Sequence, residues 1–374
     1  MFSPLNLILL KNELYTKYHN TLSQKSIIRA HNDSHAKRVP RWCGLTIHFT
    51  INCPFQCLYC YIEDMSFSFG NAKPYPLKPE EYVFALLSNP YFLPGRWGTF
   101  LAIGAVSEPF AFKNHAFAVL SELVKLGNPI QFSTKAYLSS NDADKLKDLS
   151  KFAPINPLIT IITLSAYNRL EPKAPSPERR LETIYNLSEA KLKPVLFLRP
   201  VIPGINDDEV IEVMKEAKEA GARGVVIGGF RVTRRILIRL EDAGFNVEKI
   251  KSRVRVIDDK QRSVPFPEKK EIIKRAQELF GRNVWSSACC ANATNAGVLC
   301  ASVCYIGERC TKCNNECYLK NLPDATEVIS ALSMLGIYAE VRNKIVLIKK
   351  VPKNIRKGAG FLIRTLSRRE VRFV

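Results

Sequence analysis

From residue 44 onward the chain alternates short, continuous apolar runs rich in β-branched residues with longer amphipathic stretches. GLTIHFT (44–50), TFLAIGAV (99–106), PIQFST (129–134), LITIITLS (158–165), KPVLFLRP (193–200) and RGVVIGGF (223–230) read as strands buried on both faces. Between them, residues 79–88, 114–126, 141–151, about 177–191 and 207–220 carry helical periodicity. Strand and helix in strict alternation predict a parallel sheet with right-handed crossovers, here about six β/α units. The fold class expected is α/β, a partial (β/α)6 barrel whose chemistry collects at the C-terminal ends of its strands.

The pattern weakens at both ends. Residues 1–41 form a weakly periodic basic arm with seven Lys or Arg, and its His19, His31 and His35 read as surface histidines. After the sixth strand, residues 231–262 combine an arginine-rich helix with a possible β insertion. Residues 267–281 make an amphipathic helix opened by Pro267 and closed by Gly281. The barrel is therefore placed at 42–285, a Cys-rich segment at 286–320 and a small basic α/β tail at 321–374, with a helix at 325–335 and strands at 337–341 and 345–350.

Charge changes the picture more than bulk composition does. Fifty-five basic against 35 acidic residues give a net charge of +20, which favours polyanionic partners, nucleic acid above all. The tail concentrates this charge, with eleven Lys or Arg in residues 341–374 against Glu370 alone. Phe361 and Phe373 lie among these cations in a manner suited to phosphate contact and base stacking. No apolar run reaches the roughly 18 residues of a membrane span, and the N-terminus is a poor signal peptide, so the expected location is the cytoplasm with no membrane association.

The eleven cysteines fall into two tight groups, with Cys43 alone, a distribution that points to metal rather than to disulfides. In the first, INCPFQCLYCYI (51–62), Cys53, Cys57 and Cys60 stand at spacings of four and three. Iron-sulfur clusters commonly take four cysteines. Three in one loop suit a 4Fe-4S cube with one iron open to an external chelator, with a zinc loop as the competing reading.

The order C-x3-C-x-aromatic-C, with Tyr59 before the last cysteine, resembles the signature of the radical S-adenosylmethionine (SAM) superfamily. STKAYLSSNDAD, EPKAPSPERRL and LRPVIPGIND further resemble its spore photoproduct lyase-like branch, over roughly residues 44–230. The resemblance implies that SAM chelates the open iron, that one electron from the cluster splits the sulfonium to a 5′-deoxyadenosyl radical, and that a donor such as ferredoxin or flavodoxin supplies the electron. It also implies cofactor contacts from Tyr59, from Gly104, Ser107 and Glu108 after the second strand, and from Lys135, Ser165 and Arg180, with Glu171 orienting Arg180 and Arg199 near the mouth. One departure stands out. Spore photoproduct lyases carry a hydrogen-donating cysteine near the end of the second strand, where this chain reads AIGAVSEP, so photoproduct repair itself is not expected.

The second group holds Cys289, Cys290, Cys300, Cys304, Cys310, Cys313 and Cys317, an order expected to bind an auxiliary iron-sulfur cluster or zinc and placed to cap the barrel mouth. The function expected is hydrogen abstraction from an unidentified substrate within a nucleic acid. A peptide or metabolite substrate, or a non-catalytic zinc-stabilised nucleic-acid-binding protein, are the alternatives.

Overall fold

A computed structural model describes residues 3–41, 44–301 and 322–374. Among these, seven parallel strands form the main sheet: β1 (Leu45–Ile47), β2 (Leu101–Ile103), β3 (Ile130–Thr134), β4 (Ile155–Ile159), β5 (Val195–Val201), β6 (Gly224–Gly229) and β7 (Val284–Trp285), hydrogen-bonded in that order. The partial barrel read from the alternation is therefore present, extended by the two-residue β7, which pairs with Val225 and Val226. The fourth strand starts three residues earlier than its apolar run indicated. Ile155 pairs with Ile130, and the run beyond Ile159 leaves the sheet to form the rim.

Side-chain alternation explains both faces. On β3, Ile130 and Phe132 point outward into the core shared with the surrounding helices, among them Pro79–Ser88, Lys113–Leu123 and Ser140–Ser150. Gln131 and Ser133 instead line an internal cavity. The lumen below that cavity is filled by the helix Ala288–Ala296, whose Cys289, Cys290, Ala291, Ala293 and Ala296 pack with Leu158, Val195, Val226 and Trp285. Small side chains let this helix enter so narrow a space. Its C-terminal end lies at the start of β4, where Asn295 Nδ2 donates to Ile155 O at 2.8 Å, and Arg96 Nε donates to Ala296 O at 2.9 Å. The described part of the Cys-rich segment thus plugs the lumen from below rather than capping the mouth. Cys304, Cys310, Cys313 and Cys317 lie outside the described residues.

The basic arm is largely helical, Pro4–Thr21 and Gln24–Asn32, because Leu7 and Ile8 bury against Val328, Leu332 and Leu362 of the C-terminal part. His35 departs from the surface expectation. It is fully buried, with Nδ1 2.6 Å from Asp33 Oδ1 and Nε2 accepting from the His48 amide at 3.1 Å. The C-terminal part pairs Tyr338–Arg342, Ile345–Lys350 and Glu370–Phe373 in one sheet under the helices Ala325–Met334 and Ala359–Ser367. Two of its cations are not surface groups. Arg368 is buried and donates to Trp97 O, and Arg369 donates to Asn343 O at 2.6 Å and Pro323 O at 2.9 Å. No helix among the described residues is long and apolar enough to cross a membrane.

Candidate active site

The loop after β1 is pinned before its thiols are placed. Cys53 N donates to Ser68 O at 3.1 Å and Gly70 N returns to Cys53 O at 2.9 Å, while Leu58 N donates to Leu170 O at 2.9 Å. Asn52 and Gln56 adopt positive φ (63° and 52°), which turns the loop back over the strand ends. Arg239, on the helix Arg234–Asp242, clamps the far side: Nη2 donates to Cys60 O at 2.7 Å and Nη1 to Glu63 Oε2 at 3.1 Å. The arginine-rich helix after the sixth strand therefore contributes one structural cation to the loop. Its helical spacing was visible in the sequence, but the docking partner was not.

Cys53, Cys57 and Cys60 together line a pocket of about 90 Å³ with Gly104, Glu108 and Lys135. Among the described residues no three His, Cys, Asp or Glu side chains converge closely enough to hold a single ion. The three thiols share the wall of one pocket. Burial pushes the Cys53 thiol up to about 11 and Cys57 up to about 12, and raises Cys60 as well, with Lys135 pulling each back down. Binding as thiolates must therefore expel protons.

The strand ends supply the opposite wall. Gly104 has φ +84°, and a Cβ there would lie 2.3 Å from Ser133 O, so only glycine lets β2 leave the sheet against β3. Ser107 is half-buried in the same pocket. Glu108 is buried, accepting from Thr134 Oγ1 at 2.5 Å, Phe110 N at 3.0 Å and Lys135 N at 3.1 Å, which ties β2 to β3. Burial raises its pKa against these donors. A carboxylate has about four lone-pair sites, so capacity for one further donor remains.

Behind Lys135 lies a buried charge network. Arg180 Nη1 is 2.5 Å from Glu171 Oε2, Tyr59 donates its hydroxyl to Glu171 Oε1, and Lys135 Nζ is 3.8 Å from the same oxygen. Burial works against the charge on Lys135, but the Cys57 thiol and Glu171 outweigh it and hold its pKa above the ordinary value. Lys135 Nζ also sits 5.6 Å from the Tyr59 ring centroid. Arg180 is fully buried and lines neither the thiol pocket nor the barrel cavity, so it supports Glu171 rather than facing a ligand. Ser165 is exposed, its amide donates to Glu209, and it too lines neither space; from that segment Thr160 reaches both. Thr160 escaped the sequence reading because the strand register was drawn three residues too late.

The thiol pocket opens on a barrel cavity of about 330 Å³ with which it shares Tyr59, Cys60, Gly104, Ser133, Lys135 and Thr160. A parallel β/α barrel with a thiol loop after its first strand, and a glycine, a carboxylate and a lysine at the next two strand ends, defines a class: barrels that hold a cluster at the mouth beside an enclosed reaction space. Comparison with known proteins names it. Residues 47–217 match the family model of the Radical SAM superfamily, so the chain carries a radical SAM domain. The superfamily's cofactors are a 4Fe-4S cluster and SAM. Among solved structures, a spore photoproduct lyase variant with dinucleoside spore photoproduct has TM-score 0.53 at 15% identity, covering 74% of this chain and 93% of that one. A cysteine-to-serine variant of the same enzyme has TM-score 0.51 at 15% identity, over 64% and 75%. These likenesses establish the fold. An uncharacterized protein of Acidianus two-tailed virus is 24% identical over 223 residues, 56% of this chain and 71% of its own length.

Proposed function

We propose that Cys53, Cys57 and Cys60 ligate a 4Fe-4S cluster and that the chain abstracts a hydrogen atom from a substrate within a nucleic acid. The observation that carries the reading is the shared pocket of three thiols from one pinned loop, faced by Gly104, Glu108 and Lys135. A reduced cluster bearing SAM, with ferredoxin or flavodoxin as electron source, supplies one electron and a carbon-centred radical from the cleaved sulfonium. The protein's part is orientation and dryness. Glu108 and the Gly104 carbonyl region present acceptors suited to an ammonium, Ser107 and Lys135 present a donor and a cation suited to a carboxylate, and Tyr59 with Glu171 and Arg180 fixes Lys135. For the second cysteine group, of which Cys289, Cys290 and Cys300 are buried, the clustered spacing in the sequence supports an auxiliary iron-sulfur cluster or zinc.

The nucleic-acid part rests on a cleft of about 880 Å³ beside the mouth, lined by Lys37, Arg38, Arg41, Arg231 and Lys357 with Tyr61 and Phe67 and, among the described residues, by no carboxylate. Cations interleaved with aromatic rings suit a phosphate backbone and stacked bases. Anaerobic reconstitution followed by dithionite should yield 5′-deoxyadenosine from SAM, and Cys57→Ala should abolish it. Undiminished cleavage by that variant would remove the assignment, and absence of RNA or DNA binding at low salt would remove the nucleic-acid part.

A further inference from the structure

The edges of the two larger sheets are built differently. The main sheet ends in β1 and β7, strands of three and two residues, too short to template another chain. The C-terminal sheet ends on the strand Tyr338–Arg342, five residues long, which among the described residues pairs along one side only, with Ile345–Lys350. Its register shift lies between Tyr338 and Ala339, so Ala339–Arg342 run regularly. An edge of this length is ordinarily blunted by lysine or proline. The segment YAEVR contains neither, in a chain with 55 basic residues, and Tyr338 at its start is 61% exposed.

Hairpin geometry fixes which backbone groups that edge offers. Asn343 and Lys344 form a two-residue turn, which makes Arg342 and Ile345 its closing hydrogen-bonded pair. Antiparallel alternation then turns the backbone groups of Arg342 and Glu340 toward Ile345 and Leu347, and those of Val341 and Ala339 outward. Outward groups of this kind accept a further antiparallel strand, and side-chain charge selects which one. When the added strand is the same segment of a second copy and Val341 pairs with itself, each Glu340 stands opposite Arg342 of the other copy. These are non-hydrogen-bonded positions, where facing Cα atoms come within about 4.5 Å. Moving the two-fold axis by one residue either way sets Glu340 against itself or Arg342 against itself. In the single chain Arg342 Nε donates to Glu340 Oε1 at 2.6 Å, with the two side chains 67% and 40% exposed. An exposed pair of this kind contributes little, so exchanging it across the axis loses little.

We propose that the strand Tyr338–Arg342 is a self-association surface: two copies pair it antiparallel about Val341 and join their three-stranded C-terminal sheets into one sheet of six. The inference stands apart from the thiol loop and its chemistry. A second copy fits better than a foreign peptide because one short segment complements itself in charge and in hydrogen-bond direction at the same register. The net charge of +20 on each chain opposes the encounter, so the contact is to be read where salt shortens that repulsion to about 8 Å.

The test is sedimentation velocity of the full chain over a concentration series at about 0.15 M salt. The unaltered protein should sediment as a dimer at the upper end of the series. Glu340→Arg and Arg342→Glu should each weaken association about ten-fold or more, because each sets two like-charge pairs across the axis. Mixed in equal amounts, the two variants should associate with each other as tightly as the unaltered chain does, since every cross-axis pair is again of opposite sign. A role for the Glu340 and Arg342 pair within one strand cannot produce that recovery, because in each variant chain the two positions stay like-charged. Val341→Pro removes an outward N–H and no bond to Ile345–Lys350, so it should weaken the dimer while thermal unfolding shows the fold retained. Glu370→Arg, on the opposite edge strand of the same sheet, should leave association unchanged. A monomer at about 100 μM, dimers that survive both charge variants, a mixture that fails to associate, or loss caused by Glu370→Arg instead overturns the proposal.

Discussion

Arg180 and Glu171 form an ion pair at 2.5 Å in which both side chains are fully buried, and the second oxygen of Glu171 takes the Tyr59 hydroxyl. The pair connects the helix Pro177–Glu189 to the thiol loop through one carboxylate. Sequence resemblance had Glu171 orienting Arg180 toward a ligand; the geometry reverses the roles. Arg180 also donates to Thr160 O at 3.1 Å and Pro175 O at 2.7 Å, so it anchors the rim from behind.

Removing one partner of a buried pair leaves an uncompensated charge, at a cost of about 3–5 kcal/mol. Arg180→Leu should therefore lower the unfolding free energy by that order. The double variant Arg180→Met/Glu171→Leu should recover much of it, because neither charge then remains buried. Urea denaturation of the two variants checks this, and a double variant no better than the single one counts against the pair as the cause.

Much of this site was legible in the sequence. The β/α alternation located six strands, and the C-x3-C-x2-C spacing located the thiols, because both are local patterns. What stayed hidden depends on tertiary placement. His35 is buried because Asp33 and His48 satisfy both its nitrogens, and no periodicity signals that. Arg239 looked like any solvated helix cation until its helix docked under the cysteine loop. Gln131 sat in an otherwise apolar run and became distinctive only when register placed it beside Asn156.

His48 should make the fold sensitive to acid. Its Nε2 accepts from Arg38 Nη1 at 2.7 Å, which requires the neutral ring, and burial together with the Arg38 charge lowers its pKa to about 3. The folded pKa lies below the unfolded value of about 6.5. The contribution is thus present above pH 6.5 and is lost as pH falls toward 3, by up to about 1.4 kcal/mol per pH unit. Asp33, held down to about 2 by the His35 hydrogen bonds that outweigh its burial, adds a loss only below about pH 4. Stability against urea measured from pH 7 to 4.5 should fall with acid, and His48→Gln should flatten the slope; an unchanged slope rules the His48 contribution out.

Gly104→Ala tests the close passage of β2 over β3. A Cβ there meets Ser133 O at 2.3 Å and the backbone sits at φ +84°, so overlap and strain add. Stability should drop by more than about 1 kcal/mol. Under the proposed function SAM cleavage should fall further than the fraction of folded protein does, since the same glycine borders the thiol pocket. Thermal unfolding and 5′-deoxyadenosine formation, measured on one preparation, separate the two effects.

Arg239→Leu should loosen the thiol loop without removing a thiol. The substitution deletes the donor to Cys60 O and the nearer cation of Glu63, whose other partner, Arg235, stands at 3.9 Å, while the Cys60 amide keeps its bond to Cys57 O at 3.0 Å. Iron and sulfide retained after anaerobic desalting should fall several-fold relative to wild type. Full retention would place Arg239 outside the cofactor support.

The cationic cleft makes a quantitative demand on salt dependence. If Lys37, Arg41 and Lys357 each neutralise a phosphate, each loss should reduce the slope of log K against log salt by about 0.7 for a single strand and about 0.9 for a duplex. Lys37→Ala, Arg41→Ala and Lys357→Ala should therefore flatten the slope stepwise, with similar losses on unrelated sequences because phosphate contacts carry no base information. A cleft that serves only solubility predicts the opposite pattern: the triple variant would bind as wild type does at every salt concentration. The buried Arg368 and Arg369 provide the internal contrast, since their guanidinium groups are spent on backbone carbonyls. Substituting them should cost stability while leaving the slope of the remaining folded protein unchanged. Fluorescence anisotropy with a labelled oligonucleotide across a salt series, set beside thermal unfolding of each variant, reads both outcomes.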